Sequence, residues 1–364
     1  MSFGGPESAD EVMPFLRRVT AGRGIPDERL AEVAEHYYAH GGRSPINDQC
    51  RALVAALTAE LAARGIDLPV LWGNRNSEPY LSDVLQDARR DGRHRLVAVT
   101  TSAYPSYSSC RQYREDLGRH LPDGLSVDRI AHYALTPGFQ QVMVDAVSEA
   151  LDTLGGPARV LFVTHSIPIT MSQTAGPPTR PEEGSYVAWH RAVADRVMAE
   201  VDPDGTIEHE LVYCSRSGPP TQPWLEPDVN DRLTELATQG HREDVVLAPI
   251  GFVSDHMEVL NDLDAEAVDT ATGLGLSVAR AATAGTAPAF VEQLVVQLLE
   301  RAEAARAEAA GPLDELGGRG DELELGGRGE PVVTAAQAAG GPGWFRCAAQ
   351  CCVNQRHPET PVVG

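Results

Sequence analysis

The chain has 364 residues, with 52 acidic against 30 basic side chains and a formal net charge of −22 at pH 7; it contains no lysine, so every basic side chain is arginine. A charge this negative argues against nucleic acid or an anionic membrane bound through a broad basic surface, and without lysine neither Schiff-base nor P-loop chemistry is available. Apolar residues make up 42% of the chain, enough for a buried core, and the length predicts about two domains.

Neither a leader peptide nor a transmembrane segment is apparent in the sequence. No window approaches about 18 uninterrupted apolar residues, and the N-terminus is glycine-rich and acidic. The six cysteines are too few and too unevenly placed for the disulfide framework of a secreted protein. We therefore expect a cytoplasmic protein with reduced thiols.

Short β-branched runs alternate along the chain with longer runs of helical periodicity, which predicts an α/β fold with parallel sheets. The pattern fits two doubly wound halves better than one large sheet. The predicted strands span residues 69–72, 95–101, 127–131, 159–164, 208–213, 244–250 and 275–278. The predicted helices span residues 28–40, 49–64, 111–120, 139–154, 185–201, 229–239 and 288–309.

Glycine-rich stretches mark the divisions between predicted domains. A Gly-Gly-Pro turn at residues 155–157 separates the two halves, and the sequence Glu-Leu-Gly-Gly-Arg-Gly occurs twice, at residues 315–320 and 324–329. Such repeats end helices and cannot bury a core. The predicted divisions are an N-terminal domain (1–154), a C-terminal domain (155–286), a C-terminal helix (287–310), a low-complexity linker (311–343) and a cysteine-containing tail (344–364).

An apolar strand at residues 161–164 delivers His165 to its carboxyl end, where Ser166 and a proline-bounded loop follow. In open α/β sheets, ligands bind at that end of the strands. A neutral imidazole there can accept a proton near pH 7 or coordinate a metal ion. The segment by itself leaves open the alternative that His165 only bonds a neighbouring loop.

A second apolar strand, at residues 245–250, leads into an Asp-His pair, after which a helix begins with Glu258, Asp262 and Glu266 spaced by four. This spacing places the three carboxylates along one face of the helix. Carboxylates so placed repel one another unless a cation or water lies between them, and hard oxygen ligands suit a divalent ion. The alternative is an acidic face that is merely solvated.

A third set combines arginine, tyrosine and hydroxyl side chains beside glycine turns, in residues 37–46, 73–76 and 104–113. Guanidinium groups bind carboxylates in a bidentate manner, and aromatic side chains can cover the face of a ring. The set therefore suits a flat anionic ligand.

The common nucleotide and hydrolase motifs are absent from the sequence. No Gly-x-Gly-x-x-Gly follows a predicted strand, and neither a Gly-x-Ser-x-Gly elbow nor a His-Glu-x-x-His motif occurs. We therefore expect no nucleotide cofactor, despite the doubly wound pattern.

Together these segments resemble the ferrochelatase family, most closely the actinobacterial branch that inserts iron into coproporphyrin III. The resemblance runs from residue 2 to about residue 305 and rests on several motifs in order, where one alone would be weak. The motifs are GRSPIN at 42–47, TSAY at 101–104, THSIP at 164–168, SRSGP at 215–219 with WLEP at 224–227, and GFVSDHME at 251–258.

The resemblance implies two similar Rossmann-like domains with the porphyrin in the cleft between them. It implies that His165 and Glu258 flank the inserted Fe²⁺, with His165 taking pyrrole protons or binding the metal. Glu258, Asp262 and Glu266 match the family's acidic row on a partly π-helical segment, which conducts metal or protons. The porphyrin-binding residues that the resemblance implies are Tyr37, Ser44, Arg75 and Tyr113.

The N-terminus departs from the family pattern. Only Met1, Ser2 and Phe3 precede the Gly-Gly-Pro motif, where the family has a full apolar strand. We therefore expect the first strand to be missing and the N-terminal sheet to be weakened. Phe3 stands where another branch has a tyrosine that approaches iron, and a phenyl ring cannot ligate.

The tail cysteines resemble the C-terminal cluster by which many ferrochelatases hold a [2Fe-2S] centre through four thiolates. Cys347, Cys351 and Cys352 are three candidate ligands. Cys110, which lies within one position of a ligand in the vertebrate enzymes, is the candidate for the fourth. The alternative is a tail of free thiols.

The leading hypothesis is an enzyme that inserts Fe²⁺ into coproporphyrin III and releases two pyrrole protons. A protoporphyrin IX ferrochelatase, a cobalt or nickel chelatase acting on sirohydrochlorin, and a non-catalytic tetrapyrrole-binding protein are the alternatives. We expect no nucleic-acid partner, no transmembrane segment and a transient contact with the next haem-pathway enzyme.

Overall fold

Two parallel β-sheets with helices packed on their faces make up the structure, a computed structural model, which confirms the predicted α/β class. The predicted linker and part of the predicted cysteine-containing tail lie outside the described residues, and the domain boundaries stay a prediction. The structure describes residues 1–177, 180–218, 221–310, 347 and 351–362.

The first sheet comprises β1 (Arg95–Ala98) and β2 (Ser126–Arg129), which pair in parallel. Leu85 and Leu117 share one buried cluster with Val127, so neighbouring helices cover this sheet. A π-helical segment (Tyr107–Arg111) leads directly into the fifth helix. The helices of this half are α1 (Ala9–Val19), α2 (Asp27–Ala39), α3 (Ile46–Ala63), α4 (Leu81–Arg90), α5 (Gln112–His120) and α6 (Pro137–Leu154).

The first residues bond to backbone on both sides. The Met1 ammonium group donates to the Val99 carbonyl over 2.7 Å. The Ser2 N–H donates to the Gly73 carbonyl over 3.1 Å, and the Ser2 carbonyl accepts from the Arg75 N–H over 3.0 Å. Residues 1–3 therefore lie between two other stretches of chain, at the place where we expected a strand to be missing.

The second sheet has four parallel strands in the spatial order β4-β3-β5-β6. After β3 the chain forms β4 on one side, then returns past β3 to form β5 on the other, so β3 and β5 flank a topological switch point. The strands are β3 (Ala158–His165), β4 (His209–Cys214), β5 (Asp244–Ala248) and β6 (Val278–Arg280). The helical elements are α7 (Ile169–Gln173), α8 (Ser185–Val201), α9 (Val229–Thr238), a second π-helical segment (Val259–Ala267), α10 (Val268–Gly273) and α11 (Pro288–Ala310).

The central strand β3 is buried on both faces. Val160 and Phe162 belong to one hydrophobic cluster, and Leu161 and Val163 belong to another on the opposite face. All four side chains are fully buried, which is why this strand reads as a continuous apolar run. A shift of one residue in register would move each side chain to the wrong cluster, so the position of the strand's last residue, His165, is strongly specified.

Two of the predicted strands are wrong. Residues 69–72 form no strand, because the proline there has no N–H for a ladder, and Leu71 stays exposed. The strand predicted at residues 275–278 begins instead at Val278, because Gly275 has a φ of 78° in the turn that follows α10.

Neither α1 nor α4 is among the predicted helices. The signals for α4 were present: Leu81, Leu85 and Ala88 form its buried face, and two arginines occupy its last turn. Within the described ranges, no helix combines the length and the apolar character needed to cross a bilayer.

Candidate functional site

His165 ends β3 and faces Glu258, which follows β5 across the switch point. The two side chains approach with Nε2 of His165 3.5 Å from Oε1 of Glu258. The other ring nitrogen, Nδ1, bonds to the Ser166 carbonyl. A carbonyl can only accept, so Nδ1 carries the proton of the neutral ring, and Nε2 is the atom that gains the second proton and then donates to Glu258.

A buried polar network lies directly behind His165. The Nδ1–H of His190 donates to the Tyr186 carbonyl over 2.7 Å, so Nε2 of His190 accepts from the Thr164 hydroxyl over 2.9 Å. The Tyr186 hydroxyl donates to the His165 carbonyl over 2.8 Å. Behind Thr164 only glycine fits, because a Cβ at Gly251 would lie 2.0 Å from the Thr164 hydroxyl oxygen. The network therefore holds the carboxyl end of β3 rigidly.

The acidic row of Glu258, Asp262 and Glu266 lies along the second π-helical segment. Asn261 donates to Asp262 over 3.1 Å and to Glu266 over 2.9 Å. Ser215, just after β4, donates to the other oxygen of Asp262 and has a φ of 61°, a strained conformation for a residue with a side chain. Groups from two elements thus fix the row.

The pKa values at the site reflect the contact of His165 and Glu258. Burial alone would lower the pKa of His165, but the charge and hydrogen bond of Glu258 raise it above its ordinary value. Burial alone would raise the pKa of Glu258, but His165 lowers it to about 2. Burial raises the pKa of Asp262 to about 6. The hydrogen bond from Ser215 acts against this rise, and the charge of Glu258 adds to it. An imidazole therefore stands beside an ionised carboxylate, with a second carboxyl that titrates closer to neutrality.

This pair predicts a pH dependence of stability. The pKa of His165 is raised from 6.5, so the stabilisation is complete below that pH and is lost as pH rises through the folded pKa. The pKa of Glu258 is lowered from 4.5, so the stabilisation is also lost as pH falls through its folded pKa. Urea unfolding of wild type and E258Q without iron should therefore give a larger stability difference at a pH between 4.5 and 6.5 than above the folded pKa of His165. Equal differences at the two pH values would contradict the pairing.

Arg75 and Tyr113, two of the residues expected to bind porphyrin, lie together. The Arg75 guanidinium is 5.1 Å from the centre of the Tyr113 ring and 5.9 Å from that of Phe3. Tyr113 is buried, which raises its pKa to about 12. Arg75 already forms an ion pair with Asp116, so a ligand carboxylate at Arg75 would share or displace that partner.

Tyr37 and Ser44 have different surroundings. Tyr37 is half-buried on α2, and burial, with the charge of Glu258, raises its pKa. Ser44 is only 3% exposed. Its N–H donates to the Pro6 carbonyl over 2.9 Å, so Ser44 stabilises the loop before α3.

The four candidate cluster ligands meet in the fold. Cys110, Cys347, Cys351 and Cys352 are all buried and unoxidised. The Cys110 thiol contacts those of Cys347 and Cys352, and the Cys351 thiol contacts that of Cys347 and lies 3.8 Å from that of Cys352. The Gly176 N–H donates to Cys352 Sγ over 3.2 Å. No three His, Cys, Asp or Glu side chains of the described ranges surround a single-ion site, whereas thiols in pairwise contact fit the donor set of a two-iron cluster.

The tail that carries these cysteines packs against α5. Asn354 donates to both carboxylate oxygens of Glu115, over 3.1 and 3.2 Å. Arg111 donates to Glu115 and, over 3.5 Å, to the Thr360 carbonyl. Because α5 also carries Tyr113, the tail contacts the same helix as Arg75 does.

Sequence reasoning missed the residues that support the site from a distance along the chain. Ser215 and Asn261 hold the acidic row, Tyr186 holds His165, His190 holds Thr164 before it, and Arg129 contacts the cysteines. Ser215 carried one usable signal, since a polar residue directly after a predicted strand is placed at the ligand-binding edge. The buried contacts of Tyr186, His190 and Arg129 left no mark on local periodicity.

Comparison with known proteins identifies the family of this chain. Residues 1–302 match the ferrochelatase family. The chain is 51% identical over 383 residues to a coproporphyrin III ferrochelatase of Leifsonia xyli, covering 100% of this chain and 92% of that protein. It is 49% identical over 378 residues to one of Streptomyces griseus, covering 100% and 94%. Among solved structures, SirB from Bacillus subtilis with Fe³⁺ aligns over 71% of this chain and 91% of its own, with 13% identity and a TM-score of 0.47. The chain belongs to the ferrochelatase family, the enzymes that insert metal into porphyrins.

Proposed function

We propose that this chain inserts Fe²⁺ into coproporphyrin III to give iron coproporphyrin III, with release of two protons. The observation that carries the proposal is the His165–Glu258 pair, 3.5 Å apart at the switch point of the four-stranded sheet. The pair places a base next to an ionised carboxylate, and the reaction needs both groups. The names of the relatives, at 40–51% identity, support the choice of substrate.

In the proposed mechanism His165 accepts the pyrrole protons. Because Nδ1 is committed to the Ser166 carbonyl, Nε2 is the atom that takes the proton, and Glu258 stabilises the imidazolium that forms. Each insertion breaks two N–H bonds, forms iron–nitrogen bonds and leaves two protons for the protein to pass on. Asp262, with a pKa of about 6, then accepts and releases protons along the row toward Glu266.

The same carboxylates serve the incoming Fe²⁺. Glu258, Asp262 and Glu266 offer hard oxygen ligands that replace water around the ion in steps. Tyr37, Arg75 and Tyr113 form the proposed porphyrin contacts, and Ser44 stabilises the loop before α3. Remote contacts of this kind supply the binding energy that bends the macrocycle and exposes its nitrogen lone pairs.

An anaerobic insertion assay with coproporphyrin III and protoporphyrin IX, side by side at equal concentration, tests the proposal. We expect faster formation of iron coproporphyrin III. A preference for protoporphyrin IX would overturn the substrate, and binding of both porphyrins without insertion of iron would favour a tetrapyrrole carrier.

We further propose that Cys110, Cys347, Cys351 and Cys352 hold a [2Fe-2S] cluster, which supplies a one-electron centre and a covalent link between the tail and the rest of the protein. The mutual contacts of four buried thiols, together with the N–H that Gly176 directs at one of them, support this. Such N–H donors stabilise the negative charge on cluster sulfurs.

Iron and labile sulfide in anaerobically purified protein test the cluster. We expect about two of each per chain, as a [2Fe-2S] cluster requires, and their loss in C351A and C352A. Cys50→Ala is the matched control, since Cys50 is also buried but lies outside the group of four. Absence of sulfide from the wild type, or its retention in both variants, would refute the assignment.

We also propose that the protein acts in the cytoplasm and makes a transient contact with the next enzyme of the haem pathway.

A further inference from the structure

Arg129 is a buried cation whose partners are cysteines. It ends β2 and is 5% exposed. Nη1 lies 3.5 Å from the Cys110 sulfur, and Nη2 lies 3.6 Å from the Cys347 sulfur. Across the described ranges, Arg129 forms no ion pair with a carboxylate, and its Nε has no hydrogen-bond partner.

A guanidinium group in this position needs negative charge nearby. Arginine stays protonated in proteins, so it cannot escape burial by losing its proton as lysine does. An isolated buried charge is strongly unfavourable unless it is paired. Among the described residues the two cysteine sulfurs are the acceptors of this guanidinium group, and they balance its charge only as thiolates.

Four thiolates held in mutual contact repel one another, because like charges at this separation are unfavourable. A fixed positive charge at the edge of the group reduces this repulsion. It also stabilises a four-thiolate iron–sulfur cluster, whose net charge is negative and becomes more negative when the cluster gains an electron.

We propose that Arg129 is the counter-cation of the four-cysteine site: its guanidinium pairs with the sulfurs of Cys110 and Cys347 and raises the reduction potential of the cluster that they hold. This rests on the cluster proposed above. The reduced state gains more from the guanidinium than the oxidised state does, because the reduced state carries one more negative charge. Charge and hydrogen bonds to sulfur are two of the factors that set such potentials.

Redox titration with dithionite and mediator dyes, followed by visible absorbance and by electron paramagnetic resonance of the reduced cluster, tests the proposal. R129M removes both the charge and the hydrogen bonds, R129Q keeps a donor without charge, and R129K keeps the charge. We expect the midpoint of R129M and R129Q to become more negative by about 59 mV, a tenfold change in the ratio of oxidised to reduced cluster. We expect R129K to stay close to wild type. Arg159→Met is the matched control, since Arg159 is also buried at a strand but pairs with Glu210.

The outcomes separate the two proposals. A wild type without labile sulfide refutes the cluster. Variants that keep full sulfide content and the wild-type midpoint refute the role of Arg129. Thiolate absorbance near 240 nm in metal-free, anaerobic protein supplies a readout that needs no cluster: R129Q should show less thiolate than wild type at the same pH, and R129K should restore it. Equal thiolate absorbance in wild type, R129Q and R129K refutes the role of Arg129 whether or not a cluster is present. If R129M does not fold, R129Q and R129K test the proposal without it.

Discussion

Replacement of His165 by alanine is expected to lower the rate constant of Fe²⁺ insertion by about 10²- to 10⁴-fold, the range that a positioned general base contributes. The physical reason is the orientation of Nε2, which is the basic atom of the ring and lies 3.5 Å from Glu258. Anaerobic stopped-flow or fluorescence assays with saturating coproporphyrin III measure the effect on kcat.

Porphyrin binding should survive this change, because the proposed contacts of the macrocycle lie on other elements. Quenching of porphyrin fluorescence measures the Kd separately from turnover. His209→Ala is the matched control. His209 begins β4, so it lies at the amino end of the strands of the same sheet, away from His165, and it pairs with Asp195. Insertion by H165A at the wild-type rate would contradict the assignment, and porphyrin binding by a wild type without turnover would identify a carrier.

Replacement of Glu115 by glutamine is expected to lower the free energy of unfolding by about 3–5 kcal/mol, the usual cost of removing one partner from a buried ion pair. Glu115 is fully buried and accepts from Asn354 and Arg111, with Arg119 3.6 Å away. Glutamine keeps the size of the side chain but removes the negative charge that faces the buried guanidinium of Arg111.

Urea unfolding measures this loss, and limited proteolysis reports whether residues 351–362 are released first. Glu149→Gln on α6 is the control, because Glu149 is exposed and its replacement should change the stability by less than about 0.5 kcal/mol. If E115Q changes the free energy of unfolding as little as the control does, the contacts of Glu115 do not hold the tail.

The pair proposed as catalytic, His165 and Glu258, could be predicted from the sequence for a specific reason. His165 and Glu258 each follow a strongly apolar strand, and the carboxyl ends of parallel strands meet at one edge of a sheet. The strand predictions that were wrong fell in segments with weak local signals. Residues 69–72 are apolar but contain a proline and have exposed side chains, and the short β6 is displaced from its prediction by a glycine turn.

The π-helical winding of residues 259–267 shows a different limit. Periodicity alone put Glu258, Asp262 and Glu266 on one face of an ordinary helix, and only the resemblance to ferrochelatases implied π-helical geometry. Such winding is rare and has no strong propensity signal. Here it coincides with side-chain bonds from Asn261 and Ser215 that local sequence does not encode.

The sequence by itself determined the α/β class, the burial of β3, the placement of His165 at the end of one strand and of Glu258 at the start of the helix that follows another, and the restriction of permanent positive charge to arginine. These follow from hydrophobic periodicity and residue type, which act locally. The tertiary structure alone decided that Asp116 neutralises Arg75, that Ser215 holds Asp262, and that Arg129 lies between Cys110 and Cys347. Each joins residues from different elements, and the packing of those elements depends on long-range burial that no local pattern records.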